Sequence, residues 1–404
     1  MRTIIYVGGF ELPDRNAAAQ RVANNAKILQ SLGYRVVLIG VSRQRPYDRR
    51  LYPAHCTVAG VDAWEIGYPL AQREWFDAIS AVWPLTRAVE QGVAAPDNVA
   101  AVICYNHPAV AQARIARLAR GWGAAALADC TEWYARRPWT SPANAVKNID
   151  VGLRMHAVNR RMDGLITTAP FISRHYAGAG QPIIEIPTLI EPPPDGSPAP
   201  LPPGGPLPLA AIASGFGAAK RPSDIHDRID WIIDLLDAVA ARGVDFRLRI
   251  IGVDRDAYLL LFPHHVAVLD RLGPRVEMMG RLPRSDVLEL LAASAFSFVL
   301  RHESRVTLAG FPTKYSESIT YGTPCIINAL PSVRAYHVEG QTGFSIDPRN
   351  GAEAVEALRR VLTMDRVAID AMKQYCRTSA VFQASTFEPA MQTFLQSIGV
   401  APRT

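Results

Sequence analysis

The stretch AGFPTKYSESITYGTPCIIN, residues 309–328, combines a loop, a helix and a strand. Its Gly-Phe-Pro turn places Thr313 at the predicted N-cap of a helix. The eight residues after Thr313 contain neither Gly nor Pro, so the helix can continue through them. Gly322 stands where a C-terminal cap belongs. The apolar and largely β-branched run at 325–327 then predicts a buried strand of a parallel sheet.

Two polar residues of this predicted helix, Lys314 and Glu317, lie three positions apart and therefore share one face. The backbone N–H groups of Gly310, Phe311 and Thr313 lie at the positive end of the helix, where a diphosphate is favoured. One turn further in, the Glu317 carboxylate can accept hydrogen bonds from ribose hydroxyls. The layout suits a nucleotide; an ordinary Lys314–Glu317 ion pair, worth roughly 0.2–0.5 kcal/mol, is the alternative.

This stretch resembles the retaining glycosyltransferases of family 4. Their signature is a Glu, seven residues and a second Glu, with Gly-Phe after the first Glu and Gly-x-Pro after the helix. The positions that match the second Glu, the Gly-Phe pair and the Gly-x-Pro turn are Glu317, Gly310, Phe311, Gly322 and Pro324. Ala309 replaces the first Glu, which contacts the transferred sugar in the family, and Lys314 is our candidate to supply that contact. The PTKxxES variant resembles a subgroup associated with bacterial surface polysaccharides.

The resemblance implies an α/β protein with the GT-B fold, in which two Rossmann-like doubly wound domains face a cleft. We expect an acceptor domain at 1–190, a linker at 191–208 that holds nine prolines, and a donor domain at 209–379. A C-terminal helix within 380–404 is expected to cross back to the first domain. The implied activity is transfer of a sugar from a UDP- or GDP-type donor to a glycan or lipid-linked saccharide, with retention.

Candidate residues in the first half follow predicted strands. Gly8 and Gly9 end the first strand, where a glycine turn lets a ligand approach the backbone closely. In the family that the chain resembles, this loop lies against the donor diphosphate and the acceptor. His107 follows a later strand, and the family often places a histidine there against sugar and phosphate; a structural role fits a lone histidine equally well. After the next strand, Asp129 and Glu132 are expected either to orient an acceptor hydroxyl or to cap a helix.

Candidate residues in the second half are mainly basic. The loop that opens the donor domain contains Lys220 and Arg228, which match the basic pair that grips the diphosphate in the family; a solvated basic loop is the alternative. Arg281 follows a predicted strand, just after which family members often read the nucleotide base with backbone groups, so the resemblance assigns Arg281 to the base. Arg301 and Arg305 are expected near the same site. For catalysis we single out His107, Lys220 and Glu317.

Composition narrows the classes of partner. The net charge of the 404 residues is +6, and residues 1–200 carry 21 Lys and Arg against 16 Asp and Glu. That excess of positive charge suits a phosphate-bearing acceptor or an anionic membrane. The Arg-rich helical segments at 113–122 and 151–164 could contact such a membrane, but we favour ordinary helices with solvated arginines. Nucleic acid is disfavoured because its sequence fingerprints are absent.

The same sequence predicts neither a metal nor a further cofactor. The five cysteines are scattered without a CxxC spacing, and the DxD at 254–256 is interpreted as chance. Without an apolar run of membrane-spanning length or a signal peptide, we expect the cytoplasm, at the inner face of the membrane where the acceptor is lipid-linked. A sugar-nucleotide epimerase of the same fold and a non-catalytic sugar-nucleotide binder remain alternatives.

Overall fold

The computed structural model describes residues 1–12, 16–58, 60–134, 138, 140–194, 200–217 and 219–401. The chain divides into two compact units. The first unit consists of Met1–Leu189, Ala309–Phe311 and Ala384–Thr404, and the second unit of Ile190–Leu308 and Pro312–Gln383. Each unit is built on a largely parallel sheet with helices between strands, so the predicted α/β class with two Rossmann-like domains is confirmed.

The sheet of the first unit has the strand order β3-β4-β2-β1-β5-β6-β7-β8. Its strands are β1 (Thr3–Glu11), β2 (Arg35–Ser42), β3 (Ala54–Val58), β4 (Val61–Gly67), β5 (Val99–Tyr105), β6 (Ala125–Cys130), β7 (Gly164–Thr167) and β8 (Ile183–Glu185). All neighbours are parallel except β3, which runs antiparallel to β4. The central strands are buried almost throughout, as the apolar runs of a doubly covered parallel sheet require.

Helices cover both faces of this sheet. They are α1 (Ala17–Ser31), α2 (Gln72–Ala78), α3 (Trp83–Glu90), α4 (Ala109–Gly121), α5 (Pro142–Leu153), α6 (Pro170–Tyr176) and the C-terminal α15 (Glu388–Ser397). The Asn16 side chain caps α1 by accepting from the backbone N–H of Ala19 at 2.9 Å. Helix α15 packs on α1 and β8 within the first unit.

A buried ion pair links α1 to β6 in the core of the first unit. The Arg21 guanidinium donates to both carboxylate oxygens of Asp129, and the Tyr6 hydroxyl bonds the same group. Asp129 is fully buried. The prediction that Asp129 orients an acceptor or caps a helix is therefore wrong, because Arg21 occupies the carboxylate.

The second unit has the strand order β11-β10-β9-β12-β13-β14. Its strands, all parallel, are β9 (Leu207–Ile212), β10 (Phe246–Ile251), β11 (Val276–Met278), β12 (Phe296–Val299), β13 (Cys325–Ile327) and β14 (Gly343–Ser345). Its helices are α7 (Ile229–Ala240), α8 (Arg255–Leu261), α9 (Val266–Leu272), α10 (Arg284–Ala292), α11 (Arg305–Ala309), α12 (Thr313–Thr320), α13 (Gly351–Leu362) and α14 (Arg366–Thr378). Strand β9 begins inside the predicted linker, of which residues 195–199 lie outside the described residues.

The stretch at 309–328 folds largely as predicted. Helix α12 ends in a Schellman motif, in which Gly322 has φ +78° and the Thr323 N–H bonds the Ser318 carbonyl at 2.8 Å. Strand β13 follows and is buried. The N-cap prediction is wrong: Thr313 is already helical and Pro312 takes the cap position without a side-chain hydrogen bond.

Candidate functional site

A cluster of charged side chains lies at the topological switch point of the second sheet. Chain order reverses between β9 and β12, and ligands of open α/β sheets bind at the carboxyl ends of such strands. Ser214 follows β9 and Arg301 follows β12, while Lys314 lies in the first turn of α12. All three side chains meet at Asp227, which precedes α7.

Asp227 is the common partner in this cluster. Its carboxylate bonds the Lys314 ammonium, which also donates to Ser214 Oγ at 3.1 Å. Arg301 Nε lies 3.6 Å from Asp227 Oδ1 and makes no hydrogen bond within the part of the chain that the structure describes. One carboxylate and two cations leave the cluster with a net charge of +1, which suits an anionic ligand.

Burial and pairing compete in setting the charge states of the cluster. Burial opposes ionisation of Asp227, yet the charges of Lys314 and Arg301 hold its pKa below the ordinary value. Burial lowers the pKa of Lys314 and of Arg301, and Asp227 opposes both shifts. The ionisation of each of the three groups therefore depends on the charges of the other two.

Glu317 lies one turn further along α12 and is 7% exposed. Its Oε1 accepts from Arg284 Nη1 at 2.6 Å, whereas Oε2 accepts no hydrogen bond from the described residues. Burial raises the pKa of Glu317, against the opposing charges of Arg284 and Lys314. The simple Lys314–Glu317 ion pair is not formed, because Lys314 pairs with Asp227 and Glu317 pairs with Arg284.

The other basic candidates of the second unit differ in availability. Lys220 is exposed, and its backbone N–H donates to the Asp224 carboxylate at 3.0 Å. Arg228 is held by Asp230 and lies over the Trp231 ring, 4.2 Å from its centroid. Lys220 is thus the more accessible member of the predicted basic pair.

Arg281 and Thr313 complete the predicted set in the second unit. Arg281 is exposed, and its guanidinium lies beside Gly217 in the loop after β9. Thr313 begins α12 and is partly exposed. Asp254, from the DxD segment, caps α8 by accepting from the Ala257 N–H at 2.8 Å.

The remaining candidates belong to the first unit. Gly8 pairs with Tyr105 across β1 and β5, and a Cβ at Gly8 would lie 2.6 Å from the Tyr105 carbonyl oxygen, so sheet packing itself requires this glycine. Gly9 is exposed and lines a cavity. The first unit also contains Gly310 and Phe311.

His107 follows β5, as predicted, with a buried Nδ1 that has no partner among the described residues. Burial, aided by the positive charge of Arg154, lowers the pKa of His107 to about 4. The imidazole is therefore neutral at pH 7. Ala309, in place of the family's first Glu, is fully buried in the apolar cluster of the first unit.

Three polar residues of the second-unit site were absent from the predicted set: Ser214 and Asp227 of the cluster, and Arg284, which bonds Glu317. Ser214 carries a usable signal, because it directly follows a predicted strand. Asp227 and Arg284 carry none, since their partners on α12 lie 87 and 33 residues away in sequence.

Residues 216–364, which lie mostly in the second unit, match the family model "Glycosyl transferases group 1". A comparison with curated proteins finds no match. This part of the chain is therefore similar to group 1 glycosyl transferases.

Solved structures resemble the whole chain at low sequence identity. Sucrose-phosphate synthase from Thermosynechococcus elongatus has a TM-score of 0.64 at 14% identity and covers 99% of both chains. Anabaena HepE in complex with UDP has a TM-score of 0.61 at 12% identity and covers 98% of this chain and 100% of its own. An α,α-trehalose 6-phosphate synthase from Burkholderia multivorans scores 0.61 at 11% identity over 99% of both chains. The predicted GT-B fold is confirmed.

Replacing Asp227 by Asn should lower the free energy of unfolding by about 3–5 kcal/mol, because it leaves two buried cations without their carboxylate. Denaturant unfolding followed by circular dichroism measures this change. The control is Glu356→Gln, which removes an exposed ion-pair partner of Arg359 and should leave stability essentially unchanged. A loss below about 1 kcal/mol for Asp227→Asn would show that the cluster is not coupled as described.

His107 should make stability fall as the pH drops. Its pKa is about 4 in the folded protein and near 6.5 when unfolded, so between these values the unfolded chain binds more protons. The wild type should therefore lose stability relative to His107→Gln from pH 6.5 to 4, with no further difference below. Urea titrations across this range test it, with the exposed His55→Gln as control. A pH-independent difference would contradict the assignment.

Proposed function

We propose that this protein transfers a sugar from a nucleoside diphosphate sugar to an acceptor. The observation that carries the proposal is the net-positive cluster of Asp227, Lys314 and Arg301 at the switch point of the unit that matches the group 1 model. A buried cationic site at this position suits a diphosphate. UDP is the nucleotide we favour, because the similar Anabaena HepE structure is a complex with UDP.

In this proposal the donor nucleotide lies along α12. Glu317 Oε2 accepts from the ribose hydroxyls, while Arg284 donates to the other carboxylate oxygen and its charge opposes the rise in the Glu317 pKa that burial causes. Lys314, Arg301 and the exposed Lys220 face the diphosphate. Arg281, beside the loop after β9, is assigned to the base.

The chemistry asked of these residues is stabilisation of a leaving group. As the bond between the sugar and the diphosphate breaks, negative charge grows on the diphosphate oxygens. Preorganised cations at Lys314 and Arg301 interact more strongly with that growing charge than with the intact donor, which lowers the barrier. With Ala309 in place of a carboxylate, attack by the acceptor on the face from which the diphosphate departs accounts for retention without a covalent intermediate.

The acceptor we propose is a glycan or lipid-linked saccharide bound by the first unit, in the synthesis of a surface polysaccharide. We place the enzyme in the cytoplasm, with peripheral contact to an anionic membrane where the acceptor is lipid-linked. Among the described residues, no helix combines the length and apolar character needed to cross a bilayer.

A second candidate is binding of a sugar nucleotide without transfer. It is favoured by Ala309, which is fully buried and brings no polar group to the position of the family's first Glu. The two functions separate in a turnover assay, because only a transferase couples release of the nucleotide to an acceptor.

The turnover assay uses UDP- and GDP-linked hexoses with pooled lipid-linked and free oligosaccharide acceptors, and measures released nucleoside diphosphate. We expect release with one donor type, stimulated by an acceptor and abolished in Lys314→Met. A product that is the isomerised donor would instead indicate an epimerase. Tight donor binding with no release under any acceptor would favour the non-catalytic binder.

Replacing Glu317 by Ala should weaken nucleoside diphosphate binding by about 1.5–3 kcal/mol, the range for hydrogen bonds to a charged group. The fold should survive, because the Arg284 side chain is 44% exposed and can turn to water once its partner is gone. Calorimetric titration measures the loss, with the exposed Glu289→Ala on α10 as control. Unchanged affinity in Glu317→Ala would remove this residue from the site.

A further inference from the structure

The first unit contains a cavity of about 590 Å³, within the roughly 300–1,000 Å³ typical of ligand pockets. It lies at the switch point of the sheet, where β2 and β5 flank β1 on opposite sides. Gly9 of β1 and Asn106, just after β5, line it together with Trp75, Tyr134 and residues of α5. None of the second-unit cluster takes part in this cavity.

The buried wall of the cavity carries a cation whose hydrogen bonds are incomplete. Arg154 is 4% exposed, and its Nη1 donates to the carbonyls of Asn106 at 2.7 Å and His107 at 3.3 Å. Its Nε and Nη2 are buried and have no partner within the described part of the chain. No described carboxylate comes within 4.0 Å of the guanidinium. A buried charge in this state is costly unless an anion completes it.

The backbone around Arg154 is unusual in two places. Arg154–Val158 forms a π-helical turn after α5, a feature frequent at functional sites. Asn106 has φ +40°, a left-handed conformation that few residues other than glycine adopt. The two features meet where Arg154 bonds the Asn106 carbonyl, so the guanidinium is held in place by strained backbone.

We propose that this cavity binds a saccharide through an anionic group, a carboxylate or a phosphate, that pairs with Arg154 Nε and Nη2. A planar, bidentate anion matches the two free N–H groups of the guanidinium. The claim that this saccharide is the acceptor rests on the proposed function, whereas the claim that the cavity binds an anionic saccharide does not.

Other lining residues fit the same ligand. Trp75 and Tyr134 line the cavity and supply aromatic surface suited to a sugar ring, and Arg154 lies 5.0 Å from the Tyr134 ring centroid. Lys147, 4.7 Å above Trp75, adds a second cation. Asp150 is the acidic residue among the lining residues, and its Oδ1 accepts from the Ala109 N–H at 2.8 Å. Set against Arg154 and Lys147, it leaves the lining with a formal net charge of +1.

The test titrates the full chain with methyl glucuronide, glucose 6-phosphate and neutral methyl glucoside, followed by saturation-transfer NMR. At least one anionic sugar should bind about tenfold or more tightly than the neutral one, since a charged hydrogen-bonded pair replaces a neutral contact. The two anionic arms distinguish a uronic acid from a sugar phosphate. Equal affinity of all three probes would overturn the proposal.

Variants locate the binding in the cavity. Arg154→Gln should abolish the preference for the anionic sugar while UDP affinity stays unchanged; a retained preference would overturn the assignment. Because Arg154 also holds two carbonyls, Trp75→Leu provides a second readout and should weaken both kinds of sugar. If the wild-type protein does not bind UDP but still prefers the anionic sugar, the proposed transferase function is contradicted and this inference still holds.

Discussion

The second unit depends on the burial of a single carboxylate between two cations. Asp227 draws together the loop after β9, the end of β12 and the first turn of α12. The backbone reinforces this arrangement, because the Arg228 N–H bonds the Leu300 carbonyl at 2.9 Å and the His302 N–H bonds the His226 carbonyl at 3.2 Å. The Asp227–Lys314 contact ties the first turn of α12 to these loops, and Glu317 lies one turn further along the same helix. The contacts that stabilise the fold therefore also position the candidate site.

The two units share one topological feature. Each sheet has a point between parallel strands where the chain order reverses. Beside each lies a cationic N–H group that has no hydrogen-bond partner among the described residues: Arg301 Nε in the second unit and Arg154 Nε and Nη2 in the first. Their surroundings differ. Arg301 shares the Asp227 carboxylate with Lys314, which lies on the same helix as Glu317. Arg154 instead lies over the Tyr134 ring. This difference is the physical basis for assigning the donor to one unit and the acceptor to the other.

Local rules predicted much of the fold. Helix α12, the positive φ of Gly322 and strand β13 follow from glycine, proline and apolar spacing alone. The error at Thr313 is also local, because sequence rules favour a hydroxyl at the N-cap over Pro312.

Pairing between residues distant in sequence limited how much of the candidate site could be predicted. Glu317 and Lys314 could be chosen from sequence, but not Arg284 or Asp227, which decide how those two groups are charged. Asp129 failed for the same reason: a carboxylate at a strand end suggested a ligand, and only the fold reveals that Arg21, 108 residues away, neutralises it.

The central claim is that the cluster around Asp227 binds a nucleoside diphosphate, and calorimetric titration of the purified protein with UDP, GDP and NAD tests it most directly. The account predicts that one nucleoside diphosphate binds, with UDP favoured, and that NAD does not. Absence of binding by both UDP and GDP, or equal binding of NAD, would contradict it.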